Sequence, residues 1–121
     1  MRKGILLILG FLLMVSLAYA AGPFSSDPSI YFNAADQETS EPIWINCIFW
    51  VSDDLGTATD IASADTFQLT DATSGNVIIS KTSLVTGEGL EVCFPGQGVP
   101  ANGVKVEEMQ GGIAHIIKTR R

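Results

Sequence analysis

The sequence predicts an all-β protein, a small antiparallel sandwich or barrel of about seven strands preceded by a cleavable signal peptide. Short runs of β-branched and aromatic residues are separated by Gly, Pro, Asn and Asp, which is typical of strands joined by turns. No amphipathic helix of convincing length is present. An apolar run directly follows a basic start at the N-terminus.

The N-terminal segment has the composition of an export signal. Arg2 and Lys3 supply the positive start, residues 5 to 17 form the apolar run, and residues 18 to 20 give the small-x-small pattern of a cleavage site. The run is shorter than the roughly 20 apolar residues that span a bilayer. We therefore expect a signal peptide over residues 1 to 20.

A second interpretation of this segment starts from Arg2, Lys3 and Gly4 directly before the apolar run. The arrangement resembles the processing site of type IV pilin-like proteins, and the resemblance implies an apolar segment that is retained as an assembly helix. The fifth residue of that segment is typically Glu, whereas here it is Leu9. Because the resemblance covers the leader alone, the cleaved signal peptide stays the prediction.

The mature chain is expected to begin near Ala21 and to form a single β domain over residues 21 to 121. It keeps five basic and thirteen acidic residues, a net charge near −8. This balance argues against a nucleic-acid partner, because such binders neutralise phosphates with Lys and Arg. It suits an extracytoplasmic protein that is secreted, periplasmic or surface-associated.

No second apolar segment follows, so no integral membrane domain is expected after processing. The basic tail of Lys118, Arg120 and Arg121 is expected to be frayed and solvated.

The first half of the mature chain contains the longest predicted strand. A short strand over Ile30 to Phe32 is followed by a polar loop over residues 33 to 42. The strand Ile43 to Val51 is apolar almost without interruption. Residues 52 to 65 form an acidic loop, in which Asp60 to Ala64 has the composition of a single helical turn.

The middle of the chain predicts a hairpin and a further strand. Thr66 to Thr70 alternates apolar and polar residues, and the cluster Asp71 to Asn76 joins it to a strand over Val77 to Thr82. A second turn at residues 87 to 89 leads into Leu90 to Phe94, where alternate residues are apolar.

The last predicted elements form a second hairpin. Residues 95 to 103 make a loop rich in Gly and Pro. The strands Val104 to Met109 and Ile113 to Lys118 follow, joined across residues 110 to 112.

The strand 43 to 51 raises a question of coverage, because both of its faces are largely apolar. Alternation assigns one face to the core, namely Ile43, Ile45, Cys47, Phe49 and Val51, and leaves Trp44, Asn46, Ile48 and Trp50 on the other. Two Trp rings of about 200 Å² each need a cover. Either the loops 33 to 42 and 95 to 103 fold over them, or a partner does. We predict partner contact for Trp44 and Trp50, with coverage by the loops as the alternative.

The two cysteines, Cys47 and Cys93, predict a disulfide because an even count is typical of exported domains. Strand parity complicates the pairing, since Cys47 shares the expected core face while Cys93 shares a side with Glu91. A β-bulge near Pro95, or a sheet buried on both sides, would reconcile them. Two separately buried thiols are the alternative.

Catalytic and cofactor signals are absent from the sequence. His115 lies between Ala114 and Ile116 and is expected to be a half-buried structural residue. There is no nucleophile elbow, zinc-protease motif or Walker loop. The stretch GQGVPA at residues 96 to 101 matches a dinucleotide fingerprint only superficially, because a strand and not a helix follows it. We expect no enzyme, no cofactor and no metal centre.

A cluster of four carboxylates is a candidate calcium site, and it consists of Asp53, Asp54, Asp60 and Asp65. The spacing fits no EF-hand, so capping of turns is the expected role. The sequence thus favours a structural or interaction module, such as a surface-assembly, virion-like or adhesion subunit that binds a protein partner or itself. A small-ligand or calcium-binding sandwich is the alternative, followed by a hydrolase with paired carboxylates and by the pilin-like subunit.

Overall fold

The computed structural model of the chain describes residues 23–26, 28–52 and 60–121. Within these ranges the secondary structure consists of strands and turns without a helix. The strands are β1 (Phe24–Ser26), β2 (Ser29–Phe32), β3 (Pro42–Val51), β4 (Thr66–Asp71), β5 (Val77–Thr82), β6 (Leu90–Cys93), β7 (Val99–Asn102), β8 (Val104–Met109) and β9 (Ile113–Arg120). The predicted all-β class is confirmed.

The strands form two antiparallel sheets. The larger sheet has the order β1-β2-β9-β3-β6, and β7 pairs with β3 beside β6. The smaller sheet has the order β5-β4-β8. Strand β3 is long enough to pair with β9 along one side and with both β7 and β6 along the other.

The inner faces of the two sheets enclose one apolar core. The rings of Trp50 on β3 and Phe67 on β4 stack across it with centroids 5.6 Å apart. Fully buried side chains come from both sheets and from Ile61 in the segment before β4, and the largest are Trp50, Phe32, Phe67, Ile30, Ile43, Ile45, Ile48, Ile61, Leu69 and Ile116. Burial of this apolar surface is the main stabilising contribution to the sandwich.

The seven predicted strands are all present, with ends that differ by no more than two residues. Two strands, β1 and β7, were not predicted. The helical turn expected at Asp60 to Ala64 was wrong, because residues 60 to 62 are irregular and residues 63 and 64 form a turn.

The alternation expected along β3 breaks at Asn46. Against β9, Ile45 is opposite Lys118 and Cys47 is opposite Ile117, so Asn46 is an extra, bulged residue. Before the bulge the odd-numbered residues face the core, and after it the even-numbered residues do, so that Ile48 and Trp50 are buried. The prediction that Cys47, Phe49 and Val51 face the core was therefore wrong.

The C-terminal residues are part of the sheet, so the expectation of a frayed tail was wrong. Strand β9 continues to Arg120, and the Lys118 side chain is buried. The Glu41 carboxylate accepts from Lys118 Nζ at 3.3 Å and lies 3.0 Å from Arg120 Nε.

The predicted signal peptide, residues 1 to 20, and the start near Ala21 lie outside the described residues. In the part of the chain that is described, there is no helix with the length and apolarity to cross a membrane.

Candidate functional site

Trp50 belongs to the core of the protein itself. Its side chain is 0% exposed, and its indole Nε1 donates to the carbonyl oxygen of Gly111 at 2.8 Å. Gly112 has φ of +78° and comes so close that a Cβ there would meet the ring nitrogen. The predicted partner contact of Trp50 is therefore corrected: the bulge at Asn46 turns this ring inward.

Trp44 precedes the bulge and lies on the outer face of the larger sheet, where it is half-buried. It lines a cleft of about 290 Å³ together with Asn46, Gly96, Gln97, Thr119 and Arg120, here called the Trp44 cleft. The Arg121 guanidinium lies over the indole ring, with its central carbon 5.2 Å from the centroid. Trp44 thus remains at the surface, as predicted, beside cationic side chains.

The bulged residue builds the floor of this cleft. Asn46 Nδ2 donates to the backbone oxygen of Gln97 at 3.1 Å, and Thr119 Oγ1 donates to Asn46 Oδ1 at 2.8 Å. The Asn46 carbonyl accepts from the backbone N–H of Phe94 at 2.8 Å. Both ends of the amide are therefore fixed, which is consistent with the tendency of bulges to redirect a side chain at a functional surface.

The turn between β6 and β7 packs tightly against the bulge at Gly98. This residue has φ of +91°, and a Cβ there would collide with the carbonyl group of Ile45. Only glycine combines this φ with so close an approach of two backbones. The wall of the cleft that carries Gln97 is therefore held at a fixed distance from β3.

Cys47 and Cys93 form a disulfide, as predicted. They are directly opposite each other on β3 and β6, with Cα atoms 4.0 Å apart. The bulge that reconciles their parity is at Asn46, and not near Pro95 as expected. The bond lies on the outer face next to the Trp44 cleft, and disulfides are typical of oxidising, extracytoplasmic environments.

The outer face is largely aromatic and aliphatic along β2, β9 and β3, and Glu91 on β6 is opposite Phe49 at its margin. Tyr31, His115 and Phe49 lie side by side on β2, β9 and β3, and the Tyr31 and His115 rings meet edge to face at 4.9 Å. Ile117 lies next to the disulfide in the following row. From Trp44 to Phe49 along β3 and from His115 to Thr119 along β9, no outward side chain is Asp, Glu, Lys or Arg.

No family model, curated protein or solved structure matches the chain.

The imidazole of His115 is half-buried in this face. Burial of the ring lowers the pKa of His115, because removal from water disfavours the charged form. The neutral form is therefore favoured near neutral pH, as the predicted structural role requires.

Four of the edge strands, β1, β5, β7 and β8, have features that disfavour strand addition. At β5, Lys81 is opposite the buried Phe67 and so points toward the core side, where it pairs with Glu88 at 3.2 Å. At β8, residues 36 to 39 add backbone hydrogen bonds to Val104 and Val106. Strand β7 contains Pro100, and β1 has three residues. Charge, coverage, proline and short length are the usual protections of an edge.

The predicted calcium candidate is only partly described, since Asp53 and Asp54 lie outside the described residues. Asp65 accepts from the backbone N–H of Ala62 at 2.8 Å, which is turn capping. Among residues 23–26, 28–52 and 60–121, no group of three or more His, Cys, Asp or Glu side chains has a metal-binding arrangement.

Several residues of the outer surface were not singled out from the sequence. Asn46, Gln97 and Thr119 converge only because the bulge, the Gly98 turn and β9 meet at one end of the sheet. One signal was available for Asn46, since a single amide inside an otherwise apolar strand favours a bulge or a surface position.

Proposed function

We propose that the protein is an exported, non-enzymatic interaction module that binds a protein partner or another copy of itself through the outer face of its larger sheet. The observation that supports this most directly is the strip of β2, β9 and β3 that carries Tyr31, His115 and Phe49 without an Asp, Glu, Lys or Arg side chain, on a protein whose mature net charge is near −8. Charged groups lie at its margins, with Glu91 opposite Phe49 and Arg121 over Trp44. Protein interfaces are enriched in aromatic residues and depleted of charge at their centre.

Two further features agree with this proposal. The protection of β1, β5, β7 and β8 against strand addition favours face-to-face contact as the mode of association, since strand addition needs an open edge. The Trp44 cleft offers a half-buried aromatic anchor with polar groups around it, and Trp is frequent among interface anchors.

The proposed location is extracytoplasmic. The disulfide Cys47–Cys93 supports this location because such bonds are typical of oxidising compartments, and the N-terminal residues have the pattern of an export signal. Export would place the outer face in contact with other exported or surface proteins.

Site-specific photo-crosslinking in the cells that produce the protein tests this proposal. A photoreactive phenylalanine analogue replaces Phe49 at the centre of the face, and in a matched variant it replaces Ser80, which is exposed on β5 of the other sheet. We expect a covalent adduct of discrete mass from position 49 and none from position 80. Equal labelling of both positions, or no adduct from position 49, would refute the interaction surface.

A further inference from the structure

The loop that joins β5 to β6 presents two adjacent apolar side chains to solvent. Leu84 is 73% exposed and Val85 is 59% exposed, the highest values among the large apolar side chains of the described residues. Single exposed apolar residues are ordinary on protein surfaces. A neighbouring pair at one loop tip is a compact apolar projection, here called the Leu84–Val85 tip.

Hydrogen bonds hold this tip in a defined conformation. They join Ser83 N–H to Asp65 O at 2.8 Å, Ala64 N–H to Ser83 O at 2.9 Å, Gly87 N–H to Ile61 O at 2.8 Å, Ser83 Oγ to Val85 O at 2.7 Å and Leu84 N–H to Glu88 Oε1 at 3.1 Å. A fixed loop loses little conformational entropy when it binds. The apolar pair is therefore presented in a form ready for docking.

The tip and the Trp44 cleft lie at opposite ends of the sandwich. Leu90, which follows the loop, pairs with Trp50 near the end of β3, whereas Trp44 is near its beginning. Six residues of strand separate these positions, a distance of about 20 Å. One molecule therefore cannot insert its tip into its own cleft, but two molecules can meet end to end.

The charges at the two ends are complementary. The tip is next to the segment that carries Asp60 and Asp65, and its own Glu88 pairs with Lys81. The cleft is next to Arg120 and Arg121, with Glu41 bound to Arg120. An acidic end with an apolar projection thus matches a more basic end with a partly apolar cleft.

We infer that the Leu84–Val85 tip of one copy docks in the Trp44 cleft of a second copy. This inference rests on the proposed interaction role and names the second copy as the partner at the Trp44 end of the face. The contact joins two different surfaces, so each bound molecule still offers one free tip and one free cleft. Repetition of such a contact produces a ring or an open chain of subunits.

Sedimentation velocity of the processed protein over a range of concentrations tests the inference. We expect species larger than a dimer that grow with concentration and diminish with added salt. The tip variant Leu84→Ser/Val85→Ser and the cleft variant Trp44→Ala should each associate at least about tenfold more weakly. Val77→Ser, which changes another exposed apolar residue on β5, should leave association unchanged.

Mixing the two variants gives the sharpest result. The tip variant retains its cleft and the cleft variant retains its tip, so the mixture should form one-to-one dimers and nothing larger. Because Trp44 is half-buried, Arg121→Glu serves as a second cleft variant in which only an exposed residue changes. Circular dichroism confirms that each variant is folded.

Three outcomes would overturn the inference: a wild type that stays monomeric at all concentrations, association that survives both the tip and the cleft variants, or mixed variants that fail to dimerise. The proposed function has a separate readout. A monomeric wild type whose position 49 still crosslinks to a protein of another mass would refute self-association and leave the interaction role in place.

Discussion

The indole Nε1 of Trp50 donates a 2.8 Å hydrogen bond to the carbonyl oxygen of Gly111, which lies between β8 and β9. The same ring stacks on Phe67 of the smaller sheet. Trp50 therefore connects the centre of the larger sheet both to the opposite sheet and to the loop of a hairpin. Trp44, six residues earlier, is half-buried on the outer face with the Arg121 guanidinium over its ring.

This difference predicts unequal effects of one substitution at the two tryptophans. Trp50→Phe removes buried volume and leaves the Gly111 carbonyl without its donor, so the free energy of unfolding should fall by about 2 to 4 kcal/mol. Trp44→Phe should change it by less than about 1 kcal/mol. Urea unfolding of both variants decides the matter, and similar losses would contradict the separation of a core ring from a surface ring.

The sequence pattern predicted most of the strands but assigned the residues in the second half of the longest strand to the wrong faces. The apolar runs and the turn residues predicted seven of the nine described strands, because alternation and turn chemistry are local properties. The bulge at Asn46 depends on distant residues, namely the close approach of Gly98 and the hydrogen bond from Thr119. The apolar period of residues 43 to 51 does not show where the alternation reverses, and the single amide of Asn46 is the local sign of it.

The two strands that were not predicted, β1 and β7, both lie at a sheet edge. Strand β7 contains Pro100 and Asn102, which are uncommon in strands, but an edge strand tolerates proline because one side of it needs no donor. The Trp44 cleft was beyond prediction for a related reason: β7, the Gly98 turn and β9 meet there only in the folded sheet.

The β6–β7 turn provides a test of the cleft geometry. Gly98→Ala places a methyl group against the Ile45 carbonyl at φ of +91°, whereas Gly96→Ala in the same turn meets open space at φ of +64°. The second variant should lose only the roughly 1 to 2 kcal/mol of left-handed backbone strain, and Gly98→Ala should lose clearly more. Thermal unfolding compares them, and equal losses would show that the turn does not press on the bulge.

The disulfide should stabilise the protein mainly by restricting the unfolded chain. Its cysteines are 46 residues apart, for which the chain-entropy model gives about 4 kcal/mol. Cys47→Ser/Cys93→Ser should therefore unfold at a much lower urea concentration than the oxidised wild type. The reduced wild type is the matched control and should resemble the variant. Alkylation without reduction should detect no free thiol in the exported protein, and two labelled cysteines would contradict the bond.

We expect the free energy of unfolding to depend on pH through Asp71. Its carboxylate accepts backbone N–H groups from Asn102, Ser74 and Thr73, each at 2.9 Å, and these bonds, with that from Asn102 foremost, lower the pKa of Asp71. A lowered carboxyl pKa contributes stability that is present above about pH 4 and is lost as the pH falls through the folded-state value. Asp71→Ala should lose about 1 kcal/mol or more at pH 7. Its unfolding curve should approach that of the wild type in acid, and a constant gap would contradict this account.

His115 predicts a dependence in the same direction, at higher pH. Burial between Tyr31 and Phe49 lowers the pKa of His115, so the folded state binds a proton there less readily than the unfolded chain does. Stability is unaffected by this residue well above the ordinary histidine value of about 6.5. As the pH falls through that value toward the folded-state pKa, the unfolded state gains protons first, and the protein becomes less stable.

His115→Gln isolates this effect because glutamine keeps a polar side chain and does not titrate. The free energy of unfolding of the wild type should fall relative to that of the variant as the pH is lowered from 8 to 5, and the two curves should run parallel above that range. Carboxylates such as Asp71 titrate at lower pH and are common to both proteins, so they cancel in the difference. If the wild type instead gained relative stability on acidification, the imidazole would have to be stabilised in its charged form, and the description of His115 as a desolvated side chain would be wrong.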